Sequence, residues 1–185
     1  MFVITGPSGV GKGTVIRALR KRIPALELSV SATTRAPRQG ESDGLSYHFL
    51  TEREFERRVQ AGEFVEWANY AGHRYGTLRS ELESRVVTGV PVVLEIELQG
   101  ARAVREQMPD AVQVFIAPPS RDALRRRLMN RGTDSPQQVW RRLQTADAEL
   151  AAQREFKHVV VNDRLQDAVE QLAAIVESEL AADTL

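Results

Sequence analysis

Apolar residues form short continuous runs that alternate with helically spaced stripes along this chain. The runs predict buried strands, over Phe2–Thr5, Val92–Leu98, Val112–Ile116 and Lys157–Val161. Spacings of three and four residues predict helices between them, over Lys12–Arg22, Leu78–Thr88, Gln99–Met108, Ser120–Asn130, Gln137–Gln153 and Leu165–Leu180. Buried strands that alternate with helices predict an α/β fold with a parallel core sheet between helical layers.

The region between the first helix and the strand at Val92 lacks this regularity. After a polar stretch, Thr51 and Glu54 form the capping-box pattern that begins a short helix, and Glu63–Tyr75 alternates aromatic and polar residues as a sheet does. We therefore expect three parts, by residue number: a core of 1–30, 85–120 and 141–185, an inserted lobe of 31–84, and a small lid of 121–140.

Composition excludes several classes of protein. With 185 residues, of which 42% are hydrophobic and 27% charged, the chain suits one globular domain and is too apolar for wholesale disorder. The absence of Cys excludes disulfides and thiol chemistry, and three widely spaced His argue against a zinc centre. No apolar run approaches the ~18 residues of a membrane helix, and no leader follows Met1, so we expect a cytoplasmic protein.

Charge is balanced overall but unevenly distributed. The 25 Lys and Arg equal the 25 Asp and Glu, which argues against a nonspecific binder of nucleic-acid polymers. Residues 1–40 nevertheless hold seven cations and one anion, and residues 121–142 hold seven and two, while residues 143–185 hold three and nine. Most of the cations are Arg, whose planar guanidinium group binds phosphate through two donors at once, which a Lys ammonium does not. The two basic segments are therefore candidates for phosphate binding.

A glycine-rich loop, Gly6-Pro-Ser-Gly-Val-Gly-Lys-Gly-Thr14, lies between the first strand and the first helix. This is the context of a Walker A motif, in which backbone N–H groups and a helix N-terminus cradle phosphates. Lys12 is expected to bridge the β- and γ-phosphates. The strict motif has Ser or Thr directly after the Lys, but here Gly13 intervenes before Thr14. We therefore expect magnesium to be held mostly through waters, or with help from Thr14. The predicted nucleotide contacts are Gly6, Pro7, Ser8, Gly9, Val10, Gly11, Lys12, Gly13 and Thr14.

Two arginines, Arg35 and Arg38, lie three residues apart in the polar stretch. Two fixed guanidinium groups can clamp one phosphate dianion, although an Arg-rich loop alone is more often a solvated surface. Likewise, Tyr47 and Trp67 alone are more often core or rim aromatics, and Glu66 alone is usually a surface carboxylate. Their order after an intact phosphate loop favours a second nucleotide site.

These motifs together resemble the guanylate kinases, enzymes that phosphorylate GMP with ATP. The family's pattern is S-x-T-T-R-x-P-R-x-G-E, then Y, E-W and Y-G-T/S, and later R-G-T-D/E and V-V-N-D. It occurs in the same order here, at Ser31 through Glu41, Tyr47, Glu66-Trp67, Tyr75-Gly-Thr77, Arg131-Gly-Thr-Asp and Val-Val-Asn162-Asp. The likeness spans essentially the whole chain and implies the P-loop kinase fold, with ATP on the glycine-rich loop and GMP in the inserted lobe.

The resemblance also implies a role for each matching residue. The residues around GMP would be Arg35, Arg38, Tyr47 and Tyr75 for its phosphate, Ser31, Glu66 and Thr77 for guanine, and Glu41 in the same site. A carboxylate can accept both the N1–H and the exocyclic amino group of guanine, a pair that adenine does not offer, and such a site rejects the wrong base. The residues toward ATP would be Arg131 and Arg142 of the lid region, with the other lid arginines on the surface, and Asn162 near adenine unless it is a simple turn residue.

The strand at Val92 resembles the one in which the family usually carries Asp-x-Asp. Here both positions are Glu, at Glu95 and Glu97, and the extra methylene moves each carboxylate by roughly 1.5 Å. The resemblance directs Glu95 toward GMP and Glu97 toward magnesium. The alternative is that these are buried acids paired with an arginine of the lobe.

The implied reaction is in-line transfer of the ATP γ-phosphoryl group to GMP, and to dGMP as well, in purine nucleotide metabolism, with Mg²⁺ accompanying ATP. The second pKa of a phosphate monoester is ~6, so the acceptor needs no general base near pH 7. The cations that would neutralise the phosphates are Lys12, Arg35, Arg38, Arg131 and Arg142. We expect the lobe and the lid to close and exclude water.

Two other functions stay open. Guanylate-kinase-like domains also exist as inactive peptide-binding modules, usually with a damaged phosphate loop, whereas Gly11 and Lys12 are intact here. A related kinase could also act on another small phosphorylated acceptor, which the guanine-reading set of Ser31, Glu66 and Thr77 disfavours. The partners expected are therefore small molecules only, without nucleic acid or membrane. The oligomeric state is left open.

Overall fold

The computed structural model describes residues 1–130 and 136–182 of the chain. In order, the elements are β1 (Phe2–Thr5), α1 (Lys12–Arg22), β2 (Glu27–Leu28), β3 (Ala32–Thr33), β4 (His48–Phe49), α2 (Glu52–Gln60), β5 (Phe64–Tyr70), β6 (His73–Leu78), α3 (Arg79–Val87), β7 (Val92–Glu95), α4 (Leu98–Gln107), β8 (Val112–Ala117), α5 (Arg121–Asn130), α6 (Pro136–Ala151), a short 3-10 helix (Ala152–Glu155), β9 (His158–Val161) and α7 (Leu165–Ala182). Five strands form a parallel sheet in the order β2-β7-β1-β8-β9. The predicted α/β fold is therefore confirmed.

The chain divides into two compact units. Unit 1 comprises Met1–Val3 and Ala25–Ala111, and unit 2 comprises Ile4–Pro24 and Val112–Leu185. The division into core, lobe and lid stays a prediction. No helix within the described residues is long and apolar enough to cross a membrane.

Unit 1 contains a four-stranded sheet in the order β4-β3-β6-β5. Strands β5 and β6 form an antiparallel hairpin that places Glu66 opposite Thr77. Helix α2 begins with the predicted capping box, in which Thr51 and Glu54 exchange side-chain-to-backbone hydrogen bonds. Its Phe55 is fully buried and stacks on Phe64 with ring centroids 4.4 Å apart. The sheet therefore has a core of its own, which holds the hairpin in place.

Unit 2 contains the glycine-rich loop and the last part of the chain. Helix α1 packs against α7, and β8 pairs in parallel with β9. Helix α5 turns Leu124 and Leu128 inward, and both are fully buried. The loop after β1 lies against residues that come more than 100 positions later in the chain, among them Ile116, Leu128 and Asn162.

The apolar run at Val92–Leu98 is divided between a strand and a helix. Strand β7 ends at Glu95, Glu97 is the extended N-cap of α4, and Leu98 is already helical. The prediction of one strand over the whole run was wrong because a short apolar run looks the same in a buried strand and at a buried helix start. The consequence is that Glu97 lies at a strand-to-helix junction.

Candidate functional site

The phosphate loop adopts a backbone that only glycine accommodates easily. Gly6, Gly9 and Gly11 have positive φ angles of 143°, 85° and 97°. A Cβ at Gly6 would overlap the Ile116 carbonyl oxygen, and one at Gly9 would lie 2.6 Å from Leu128 Cδ2. Both conformation and space therefore require glycines at these positions, and they let backbone N–H groups approach an anion closely.

Lys12 and Thr14 lie in the first turn of α1, and the Thr14 N–H donates to the carbonyl of the N-cap Gly11 at 3.1 Å. The N–H groups that precede it have no carbonyl one turn earlier in the helix. Lys12 is 8% exposed, and its Nζ donates a hydrogen bond of 2.6 Å to the Gly6 carbonyl. This contact holds the ammonium group against the loop. Thr14 is exposed, and its hydroxyl accepts a hydrogen bond of 3.2 Å from Arg17. A helix start, a buried cation and an exposed hydroxyl suit a nucleoside triphosphate with its metal.

Asn162 and Arg127 both contact the phosphate loop. The Asn162 side-chain amide donates to the Val10 carbonyl at 2.8 Å, so its adenine contact stays a prediction. Arg127 donates to the same carbonyl at 3.2 Å and to the Asn162 carbonyl at 2.8 Å. Its assignment to the solvated surface was wrong. A signal was present, because position 127 is three residues after the buried Leu124 and so borders the inward face of α5.

Arg35 is held by Glu41 in unit 1. One Arg35 nitrogen donates to both Glu41 carboxylate oxygens at 2.9 Å, and the other terminal nitrogen donates to the Ala36 carbonyl at 2.7 Å. The guanidinium carbon lies 5.3 Å from the Tyr47 ring centroid, and the Tyr47 and Tyr75 rings meet edge to face at 6.1 Å. The structure therefore brings together three of the residues predicted for the GMP phosphate, Arg35, Tyr47 and Tyr75, with Glu41 of the same predicted site.

The surroundings of these groups set their charges. Burial alone would raise the pKa of Glu41, but the Arg38 N–H, which donates to it at 2.8 Å, and the Arg35 guanidinium hold it below its ordinary value. Burial, together with the charge of Glu95, raises the pKa of Tyr47. Arg38 itself is exposed. The site thus presents an ion pair with a fixed arginine, two phenol groups and a second arginine open to solvent.

Glu66 is the predicted guanine reader, and it is only 5% exposed. Its Oε1 accepts a hydrogen bond of 2.7 Å from the Thr77 hydroxyl. The start of α4 comes so close that a Cβ at Gly100 would overlap Glu66 Oε2. Burial raises the pKa of Glu66 to about 7, with Thr77 opposing the rise and the negative charge of Glu97 adding to it. Glu66 and Thr77 are thus brought together, as predicted.

The two remaining predicted acids, Glu95 and Glu97, lie at the end of β7 and at the start of α4. One carboxylate oxygen of Glu97, Oε2, is buried without a hydrogen-bond partner among the described residues. The alternative of an arginine-paired acid is therefore not seen for this oxygen. Glu95 ends β7 half-buried. Ser31 is half-buried, and its carbonyl accepts the N–H of His48 at 2.9 Å, so its contact with guanine stays a prediction.

The two arginines predicted to reach the ATP phosphates are Arg131, within the predicted lid, and Arg142, directly after it. Arg131 lies outside the described residues. Arg142 is half-buried on α6, and its contact with phosphate stays a prediction. Arg121, assigned to the surface, is exposed and forms a paired hydrogen bond with Asp147 at 2.6 and 2.8 Å, which links α5 to α6.

Comparison with known proteins identifies the family. A family model described as guanylate kinase matches residues 1–179. The chain is 56% identical over 176 residues to a guanylate kinase of Frankia casuarinae, covering 95% of this chain and 96% of that protein. It is 53% identical over 170 residues to a guanylate kinase of Synechococcus sp. (strain CC9311), covering 92% and 90%. A crystal structure of guanylate kinase from Anaplasma phagocytophilum is similar, with a TM-score of 0.81 at 33% identity, covering 97% of this chain and 85% of that one. Because the family model matches residues 1–179, the chain belongs to the guanylate kinase family.

Proposed function

We propose that this protein transfers the γ-phosphoryl group of ATP to GMP, and also to dGMP, giving GDP or dGDP and ADP. Membership of the family over residues 1–179 supports ATP and GMP as substrates. The single observation that carries the choice of base is the buried Glu66 carboxylate with Thr77 bound to one of its oxygens. The cytoplasm is the proposed site of action, which agrees with the relatives being bacterial guanylate kinases.

Burial makes Glu66 selective. Guanine offers two adjacent donors, N1–H and the amino group, and a carboxylate can accept both. Adenine presents an acceptor at N1, so binding it would leave a desolvated carboxylate unpaired, at a cost of about 1–3 kcal/mol or more. The Thr77 hydroxyl holds the carboxylate in one rotamer. Base selection is therefore assigned to Glu66, with Thr77 and Ser31 as the further contacts.

The phosphate of GMP is assigned to Arg35, Arg38, Tyr47 and Tyr75. Arg35 is already fixed by Glu41 at 2.9 Å, which lowers the entropy lost when phosphate binds. Glu41 thereby acts by positioning Arg35. Arg38 is exposed and able to turn toward the ligand. Because the second pKa of a phosphate monoester is ~6, the attacking oxygen is already ionised near pH 7 and needs no base.

The triphosphate of ATP is assigned to the glycine-rich loop and Lys12. The obstacle in this reaction is the repulsion between two polyanions, and fixed cations and N–H groups offset it in the transition state. Lys12 is held within 2.6 Å of the Gly6 carbonyl and needs little rearrangement to face a γ-phosphate. Arg131 and Arg142 are proposed to supply further positive charge, and Asn162 to contact adenine.

Magnesium is proposed to enter with ATP. No cluster of three or more His, Cys, Asp or Glu residues able to hold a metal occurs within the described parts of the chain. Magnesium suits such a protein, because it keeps several waters and takes phosphate oxygens as ligands. The unpartnered Glu97 Oε2 fits a role as acceptor from a metal-bound water, and the exposed Thr14 hydroxyl is the candidate beside the loop. The metal would supply charge neutralisation to the phosphates.

A coupled assay with ATP across GMP, dGMP, AMP, CMP and UMP tests the proposal. We expect turnover of GMP and dGMP and at least a hundredfold lower kcat/KM for the other three. In Glu66→Gln the amide keeps the shape of the carboxylate but loses one acceptor, so the preference for GMP over AMP should shrink. Activity on none of the five would refute the kinase, and equal activity on all five would refute the role of Glu66.

A further inference from the structure

The Val10 carbonyl links the phosphate loop to later parts of unit 2 through hydrogen bonds. The Val10 side chain is fully buried. Its carbonyl oxygen accepts two hydrogen bonds, from Asn162 Nδ2 at 2.8 Å and from Arg127 Nη1 at 3.2 Å. Two donors on one carbonyl, one of them charged, are a strong restraint on the orientation of a single peptide group.

That restraint also fixes a neighbouring N–H group. In a trans peptide the C=O and N–H bonds point in opposite directions, so the direction of the Val10 carbonyl determines that of the Gly11 N–H. Gly11 is the N-cap of α1, in the left-handed conformation with φ 97° and ψ 22°. It directly precedes Lys12. An N–H at this position belongs to the group of backbone donors that can face an anion at a helix start.

Helix α5 supports the loop through two consecutive residues. Arg127 donates to the carbonyls of Val10, Asn162 and Asp163, the last two through Nη2 at 2.8 and 3.4 Å. Leu128 lies so close to Gly9 that any Cβ there would be 2.6 Å from its Cδ2. The preceding residue, Arg126, is exposed. One planar guanidinium thus joins the loop to the turn after β9.

We propose that Arg127 is a positioning residue for the ATP phosphates, which keeps the Val10–Gly11 peptide turned so that the Gly11 N–H faces the triphosphate. The proposal rests on the proposed function, because it assigns Arg127 to the loop of that site. Arg127 acts through the backbone, since its contacts are with three carbonyl oxygens. A lysine cannot replace it, because a single ammonium group lacks the planar fork that reaches several acceptors at once.

The test compares Arg127→Lys with Arg126→Lys, the same substitution at the exposed neighbour. Calorimetry would measure the binding of ATP, of GMP and of inorganic tripolyphosphate, which has no adenosine. In Arg127→Lys we expect the affinities for ATP and tripolyphosphate to fall together by about tenfold or more, as the loss of a charged hydrogen bond implies. The affinity for GMP, and all three affinities in Arg126→Lys, should stay within about twofold of wild type.

Each other outcome counts against the proposal. If the folded Arg127→Lys protein melts at a lower temperature but binds tripolyphosphate normally, Arg127 only stabilises the fold. If ATP binding weakens and tripolyphosphate binding does not, Arg127 contacts the nucleoside. An equal loss in Arg126→Lys would mean that general charge is responsible.

A second variant covers the case in which Arg127→Lys does not fold. Arg127→Gln also removes the charged guanidinium but keeps an amide that can donate to one carbonyl, and unchanged tripolyphosphate affinity in that protein would also overturn the proposal. A wild-type protein that binds tripolyphosphate but does not phosphorylate GMP would refute the proposed function alone, and the binding comparison would still decide the role of Arg127.

Discussion

At the scale of single residues, the Glu66 carboxyl is buried, and its surroundings are a hydroxyl group, the start of a helix and a second acid instead of water. Thr77 donates to it at 2.7 Å, the backbone at Gly100 lies against its second oxygen, and Glu97 adds negative charge. Burial and that charge favour the protonated form, which cannot accept both guanine donors. If Glu66 binds guanine as proposed, the same burial makes GMP binding depend on pH.

We expect the affinity for GMP to fall below neutral pH because of Glu66. Its pKa is raised to about 7. In the protein without GMP, the Glu66 carboxyl is therefore mostly ionised at pH 8 and mostly protonated at pH 6. If only the carboxylate form binds, the Kd for GMP should rise about tenfold between these values. Calorimetric titration over pH 5.5–8.5 measures it. Glu66→Gln is the control, because its remaining pH dependence is that of the GMP phosphate.

The same shift has a consequence for folding stability. The folded-state pKa of Glu66 is above the unfolded value of 4.5, so this carboxyl destabilises the fold at pH 8, and that cost disappears as the pH falls from about 7 toward 4.5. Glu66→Gln should therefore melt at a higher temperature than wild type at pH 8.

For the binding prediction, a Kd for GMP that is unchanged between pH 8 and pH 6 in wild type would contradict the ionisation argument.

At the scale of elements, the junction between β7 and α4 brings the charge of Glu97 close to Glu66, the proposed guanine reader. The strand ends at Glu95, Glu97 is the N-cap, and α4 starts against β5. Gly100 is helical, where glycine costs about 1 kcal/mol relative to alanine. The position is nevertheless glycine, because any Cβ would overlap Glu66 Oε2. Glycine at position 100 therefore makes α4 less stable than alanine would, but it lets the helix backbone lie against the Glu66 carboxylate.

Gly100→Ala should therefore weaken GMP binding without destabilising the helix. The new methyl group displaces the Glu66 carboxylate, and we expect the KM for GMP to rise about tenfold or more, which corresponds to ~1.4 kcal/mol, while the KM for ATP changes little. The matched control is Gln99→Ala, an exposed neighbour in the same turn. Steady-state kinetics with each substrate varied gives both constants. An unchanged KM for GMP in Gly100→Ala would show that Glu66 can move aside.

Local signals predicted most elements, and long-range ones were missed. The strand at Phe2–Thr5 and the helix at Lys12–Arg22 have the predicted bounds. Hydrophobic periodicity and the glycines between these elements are local features, so neighbouring residues suffice to predict them. The two-residue strands β2, β3 and β4 were not predicted, since only pairing with distant strands defines them. The contact of Arg127 with Val10, 117 residues away, was missed for the same reason, whereas the contact of Arg35 with Glu41 was missed although only six residues separate them.

At the scale of the whole molecule, the two nucleotides are assigned to separate units of the chain. The phosphate loop, with Lys12, belongs to unit 2, and the proposed GMP residues, including Glu66 and Arg35, belong to unit 1. Charge does not follow this division: the basic segments at residues 1–40 and 121–142 include the loop and the arginines, whereas residues 143–185, which carry the excess of acid, belong to unit 2 as the loop does. A field of this kind attracts phosphates locally while the net charge stays at zero.

This division predicts that the two binding functions can be removed one at a time. Lys12→Met keeps most of the side-chain volume and removes the charge that Gly6 holds at 2.6 Å, so transfer should fall by about a thousandfold. Its Kd for GMP, measured by calorimetry, should stay within about twofold of wild type. Glu66→Gln should show the reverse, with weakened GMP binding and normal ATP binding. If the folded Lys12→Met protein loses GMP binding as well, the loop takes part in both sites, and the assignment of one nucleotide to each unit is wrong.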